Sequence, residues 1–315
     1  MRILFAGTPA MAVPSLEKLA RGPGVQAVLT APDAPAGRGR TNCPSPVKQA
    51  ALNLGIPVLT PVSLDDAAVE SVRSLSPDLL VVVAYGKIFK KRFLDLFPLR
   101  GINLHPSLLP LYRGPSPISA AILSGDNETG VTVQKLAMKF DTGDILAQTR
   151  VPLDGTETTG ALTDTLSVLG AELLLDVVTS VAAGNPPAAV AQDESSASYC
   201  RLIRKEDGLL DWTEAASTIE RKVRAYDPWP RAHTTLAGES LLLLKTSVHP
   251  GTLATAARVP APGEVLAADG ERGILVHTGQ GILRIERLQL RFRKPMDWRS
   301  FLHGRSDLLG IRLGD

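Results

Sequence analysis

Asn103 and His105 are separated by a single residue, and Asp141 follows 38 positions after Asn103 in the run Phe140-Asp141-Thr142-Gly143-Asp144. An amide donates hydrogen bonds without titrating, an imidazole carries a proton near neutral pH, and a carboxylate can orient or polarise that imidazole. Of the five histidines only His105 lies in the first 200 residues, so any imidazole chemistry in that portion falls to it. Two satisfied polar residues at the end of a strand would leave the same local pattern.

The elements that must position these groups follow from periodicity. In an extended Gly101 to His105 segment, Ile102 and Leu104 face one way and Asn103 and His105 the other. Pro106 cannot donate to a ladder, so the strand is expected to stop at His105 and residues 107–117 to form a loop. Upstream, residues 2–7 read as a strand, 12–20 as a helix, 25–30 as a strand, 47–54 as a helix, 56–59 as a strand and 65–75 as a helix. The continuous apolar run at 79–84 fits a parallel strand buried on both faces. Downstream come a helix at 116–125, strands at 131–136 and 145–150, and a long helix at 159–184. This alternation predicts a doubly wound α/β domain, in which ligands sit beyond the carboxyl ends of the strands. Gly7 opens no dinucleotide fingerprint, because Gly7-Thr8-Pro9-Ala10-Met11-Ala12 lacks the later glycines, which disfavours a nicotinamide oxidoreductase.

The run Asn103-Leu104-His105-Pro106-Ser107-Leu108-Leu109-Pro110, with Arg113-Gly114 and the later Asp141-Thr142-Gly143, resembles the active-site signature of the 10-formyltetrahydrofolate-dependent formyltransferases. The resemblance implies a Rossmann-like formyltransferase domain, with Asn103, His105 and Asp141 as the catalytic asparagine, histidine and aspartate. It implies 10-formyltetrahydrofolate as co-substrate, held in a slot walled by Tyr85 and Gly86 and by Ser107, Leu108, Leu109 and Pro110. Formyl transfer to an amine passes through an oxyanion, for which Asn103 would be a donor and His105 a second donor or proton carrier.

The stretch from Pro32 to Pro46 holds four prolines and two glycines, predicting a long loop without helix or strand. Its Pro35-Ala36-Gly37-Arg38-Gly39 and the following Ser45-Pro46-Val47-Lys48 resemble the loop with which those family members that formylate methionyl initiator tRNA grip the acceptor stem. Arg38, Arg40 and Lys48 are then the expected tRNA contacts. The family's usual Lys-Leu after Arg-Gly stands here as Arg40-Thr41. Formylation of a nucleotide-linked amino sugar with the same folate donor is the nearest rival, and a folate- or RNA-binding module without activity is the rival from another class.

Composition sets the remaining bounds. A chain of 315 residues with 44% hydrophobic residues is long enough for two domains. The expected division is a catalytic domain at 1–188, a linker at 189–206 and a small, OB-like β-barrel at 207–315, whose short strands are marked by turn glycines and for which the family resemblance implies tRNA binding. The Lys205-Glu206-Asp207-Gly208, Asp211-Trp212 and Pro228-Trp229-Pro230 elements extend the family resemblance into that part. Residues 1–200 carry 16 basic and 18 acidic residues and residues 201–315 carry 18 and 14, a weak hint of a polyanionic partner. Cys43 and Cys200 lack metal-ligand spacing and suit a reducing, cytoplasmic setting. Asp141 and Asp144 fall short of a cation cage, so no metal is expected. No apolar run near 18 residues is evident, so no membrane span is expected, and the protein is read as a monomer.

Overall fold

The structure is a computed structural model describing residues 1–36, 41–251, 259–305 and 307–315. The chain divides into two compact units, the first comprising Met1–Pro117, Glu128–Pro152 and Thr163–Arg201, the second Ile118–Asn127, Leu153–Leu162 and Leu202–Asp315.

In chain order the first part carries β1 (Ile3–Gly7), α1 (Val13–Arg21), β2 (Ala27–Leu29), β3 (Ala34–Ala36), β4 (Thr41–Cys43), α2 (Pro46–Asn53), β5 (Val58–Leu59), α3 (Asp66–Leu75), β6 (Leu79–Val83) and α4 (Lys91–Leu94). There follow β7 (Gly101–His105), α5 (Pro117–Ser124), β8 (Glu128–Lys135), β9 (Ile145–Pro152) and α6 (Thr159–Ala182). Seven of these strands form one sheet in the order β5-β2-β1-β6-β7-β8-β9, parallel from β5 to β7 and antiparallel at β8 and β9. Every residue of β1 and β6 is buried, as their uninterrupted apolar sequences require for strands covered on both faces. Gly7 fits because a Cβ there would lie 2.9 Å from the Val83 carbonyl oxygen. Helix starts obey capping chemistry: the Ser45 hydroxyl accepts from the Lys48 amide with Pro46 at the first helical position, and Asp65 accepts from the Ala68 amide.

Two sequence expectations need correction. Residues 32–46 do contain strand, since β3 and β4 pair antiparallel with Pro35 opposite Asn42. A two-stranded ribbon has one unpaired side on each strand, so a proline there need not break a ladder. Helix α6 is long and apolar enough to cross a membrane by length and composition. Its buried residues Leu162, Leu166, Ala171, Leu174, Val177 and Val178 nevertheless form a helical stripe, and a Cβ on Gly170 would meet the Leu104 side chain at 2.7 Å.

Aromatic residues make up only 4% of the chain, yet Tyr85, Phe89, Phe93 and Phe97 form a ladder with successive ring centroids 5.4, 5.1 and 5.8 Å apart. This ladder packs with Leu80 and Val82 of β6, and so supports the strand beside β7.

The second unit holds α7 (Ala216–Ala225), β10 (His233–Leu236), β11 (Glu239–Val248), β12 (Val265–Asp269), β13 (Gly273–His277), β14 (Ile282–Leu290), β15 (Met296–Asp297) and α8 (Trp298–Gly304). Its strands pair antiparallel in the order β10-β11-β14-β13-β12, with β15 on β14. Ile219 and Val223 of α7 share a core with Leu241, Leu243, Ile285 and Trp212, whose indole N–H donates to the Thr234 hydroxyl at 3.0 Å.

Candidate active site

Strand β7 sits between β6 and β8, with Asn103 opposite Val82 on one side and Gln134 on the other. Strand alternation sends Asn103 and His105 to one face. The loop after β8 brings Asp141 to them in a left-handed conformation with φ of 53°. Asn103 Nδ2 lies 3.4 Å and His105 Nδ1 3.5 Å from the same Asp141 oxygen, Oδ1. On its other side, His105 Nε2 lies 3.0 Å from the Tyr112 carbonyl oxygen.

A carbonyl oxygen only accepts, so Nε2 must carry the hydrogen, and Nδ1 is the basic atom of the neutral ring. Burial pushes the His105 imidazole below its ordinary range, opposed by the Asp141 charge and by the bond to Tyr112. Asp141 is fixed by further donors: the Gly114 amide reaches Oδ2 at 2.9 Å and Gln134 Nε2 reaches Oδ1 at 3.0 Å. One N–H of Asn103 is thereby turned to a carboxylate, which sets the amide's orientation and leaves its second N–H for a ligand oxygen. Chemically, the cluster can donate to a developing oxyanion and accept one proton beside a negative charge. Burial raises the Cys200 thiol, which argues against a thiolate nucleophile at that wall of the site.

These groups lie in a cleft of about 830 Å³ in the first unit, a volume that suits a small-molecule site. Tyr85 and Gly86 line it, as do Met138 and Phe140 of the loop that carries Asp141. Ser107, Leu108, Leu109 and Pro110, expected as part of the wall, directly follow Pro106, which lines the cleft. Ser107, Leu108 and Leu109 are buried; the Ser107 hydroxyl donates to the Leu111 carbonyl and the Leu109 amide donates to Thr132 Oγ1. These bonds shape the loop after β7. Lys48 is ion-paired, its Nζ 2.7 and 2.8 Å from the two carboxylate oxygens of Asp33. Arg38 and Arg40 lie outside the described residues.

Sequence reading passed over Gln134, Gln192 and the burial of Arg113. Gln134 was within reach of it, because aligning β8 antiparallel to β7 sets that residue opposite Asn103. The polar stretch expected as linker is partly built into the first unit: Val190 bridges to Ile145, Tyr199 bridges to Arg113, and Gln192 reaches the Asp141 turn.

Residues 1–178 match the formyl transferase family and residues 202–306 its C-terminal domain, and the chain belongs to the formyltransferase family of enzymes. Relatives of full length carry a more particular name. A Treponema pallidum protein, 46% identical over 322 residues covering 100% of this chain and 99% of its own, is a methionyl-tRNA formyltransferase. So is one from Roseiflexus castenholzii, 46% identical over 309 residues and 95% of each chain. The solved N-formyltransferase of Helicobacter canadensis, in complex with folinic acid and dTDP-3-aminofucose, shares the fold with a TM-score of 0.67 at 19% identity, over 92% of this chain and 99% of that one.

Proposed function

We propose that the protein transfers the formyl group of 10-formyltetrahydrofolate to the α-amino group of methionyl initiator tRNA. The observation that carries this reading is the end-to-end similarity to methionyl-tRNA formyltransferases, at 46% identity over 100% of the chain. The convergence of Asn103, His105 and Asp141 at one cleft supports it. The cleft fits a pterin: Ala84 and Gly86, both left-handed, bend main chain around it, and Tyr85, Ile88 and Phe89 supply apolar wall. When bound, the folate would supply a formyl carbon on N10, whose lone pair is shared with an aryl ring, so that amide resonance is weakened and N10 can leave once protonated.

The acceptor's own amine is the nucleophile, so no acyl-enzyme is needed. As the new C–N bond forms, the free N–H of Asn103 donates to the carbonyl oxygen that gains charge. His105 Nδ1 takes the proton leaving the amine, and the imidazolium so formed lies against Asp141. Cleavage of the bond to N10 returns the proton to that nitrogen and restores neutral His105.

In this reading residues 207–315 bind tRNA, with 1–188 as the catalytic domain and 189–206 joining them. Arg38, Arg40 and Lys48 grip the acceptor stem, the last after exchanging its Asp33 partner for phosphate. The enzyme acts in the cytoplasm. Formyl transfer to methionyl initiator tRNA, compared with transfer to a nucleotide-linked amino sugar, tests the acceptor. Transfer to the sugar alone would overturn it.

A further inference from the structure

Arg113 is the largest fully buried side chain among the described residues and a permanent cation. Such a charge is tolerated only when paired and fully hydrogen-bonded. Its guanidinium donates to both carboxylate oxygens of Glu194, at 2.9 and 2.7 Å, and to the Tyr199 hydroxyl at 2.9 Å. The remaining donors, Nε and Nη2, reach Gln192 Oε1 at 3.0 and 2.9 Å. Main chain reinforces the clamp, because the Arg113 amide donates to the Ser198 carbonyl and the Arg113 carbonyl accepts from the Cys200 amide.

This arrangement dictates the orientation of one amide. With its oxygen held by a guanidinium, Gln192 must turn its NH₂ the other way, where Nε2 lies 2.8 Å from the Asp141 carbonyl oxygen and 2.7 Å from that of Gly143. The same group lies 3.3 Å from Gln134 Oε1, which also accepts from the Gly143 amide at 3.2 Å. Gln134 is thereby oriented with its own NH₂ toward Asp141 Oδ1. The turn has no slack, since a Cβ on Gly143 would sit 1.7 Å from the Lys135 carbonyl oxygen.

We propose that Gln192, held by Arg113, is a positioning residue that fixes the Asp141 turn and, through Gln134, aims the Asp141 carboxylate at His105. The inference rests on the catalytic role given above to Asp141 and adds a contribution from a segment that looks like a linker. The Gln192 contacts to the turn itself go to main-chain oxygens, so they set the place of the turn. The Gln134 contact goes to the carboxylate, so it sets direction. The charged and titratable groups about the turn are Asp141, His105, Cys200, the Arg113–Glu194 pair, Lys139 and the Lys135–Asp144 pair.

Gln192→Glu separates positioning from folding. It keeps an oxygen for Arg113 but places a second oxygen against the carbonyls of Asp141 and Gly143, turning two donated bonds into repulsions. Formyl transfer to methionyl-tRNA is measured in single turnovers from pH 5 to pH 9 for wild type, Gln192→Glu, Gln192→Ala and Asp141→Asn. For both Gln192 variants, kcat is expected to fall about 10- to 100-fold with little change in KM for the folate donor. In Gln192→Ala the His105-dependent limb should move to lower pH, as it should in Asp141→Asn, because the imidazolium loses its counter-charge. Gln192→Glu should lose kcat likewise and unfold at a lower temperature, because a carboxylate then faces two carbonyls, while its circular dichroism at the assay temperature stays that of wild type. An unmoved limb in Gln192→Ala beside a moved one in Asp141→Asn overturns the positioning role alone. An unmoved limb in both overturns the Asp141 role and this inference with it.

Discussion

His105 Nε2 and the Tyr112 carbonyl oxygen, 3.0 Å apart, decide which face of the imidazole is chemically free. The acceptor is main chain seven residues downstream, beyond the bend that starts at Pro106. Nδ1 is left to face Asp141 at 3.5 Å, a geometry that becomes attractive when Nδ1 gains a proton. The ring therefore waits in its neutral form and is rewarded for protonation by the neighbour that Asn103 also touches.

That relationship has a measurable effect on stability. Burial holds the folded-state His105 pKa below its unfolded value, so the unfolded chain binds the extra proton first. The stabilisation is complete above the unfolded imidazole value of about 6.5 and is lost as pH falls through the folded value. Urea unfolding of wild type and His105→Gln should show wild type losing more stability between pH 7 and pH 5. Parallel curves would mean that burial does not govern this ring.

Asn103→Ala removes the donor assigned to the oxyanion while leaving the cleft walls intact. Turnover should fall by about 10² to 10³ with folate binding retained. Near wild-type single-turnover rates would remove Asn103 from the chemistry.

Gly143→Ala tests the tightness of the Asp141 turn. The added Cβ must displace the Lys135 carbonyl in β8, and overpacking of this kind costs about 1–3 kcal/mol. Denaturant unfolding should show that loss together with reduced formyl transfer. Unchanged stability would mean that the turn yields freely.

Arg38→Ala addresses the acceptor. Catalytic efficiency on methionyl-tRNA should drop with far less effect on folate affinity, and Lys should substitute poorly if a planar fork is required. tRNA affinity of the wild type should fall as salt rises. Wild-type efficiency of Arg38→Ala at every salt concentration would deny the loop its role.

The legible and illegible parts of the site differ in how far each residue depends on distant chain. Asn103 and His105 share a strand whose alternation and stop at Pro106 are local, and the β6 run announces its own burial. Gln192 sits 51 residues from Asp141 amid Asp193-Glu194-Ser195-Ser196, a composition that reads as solvent-exposed link. The buried charge of Arg113, invisible without its partners, draws that stretch inward together with the Val190–Ile145 bridge. The internal bonds of Ser107 and Leu109, to Leu111 and to Thr132 in β8, likewise depend on chain that the motif itself does not reveal.

The place of β7 in the sheet sets a contrast in exchange with solvent. Its ladder is closed on both sides, by β6 and β8, so the amides of Asn103 and Leu104 should exchange with deuterium only when the whole sheet opens. Ile88, Met138 and Phe140, 59, 62 and 66% exposed, stand on loops at the rim, where local opening suffices. Floor and rim thus keep different clocks. The rim can rearrange around an arriving acceptor many times in the life of one folded molecule, while the spacing of the amide and the imidazole on the floor stays as the sheet made it.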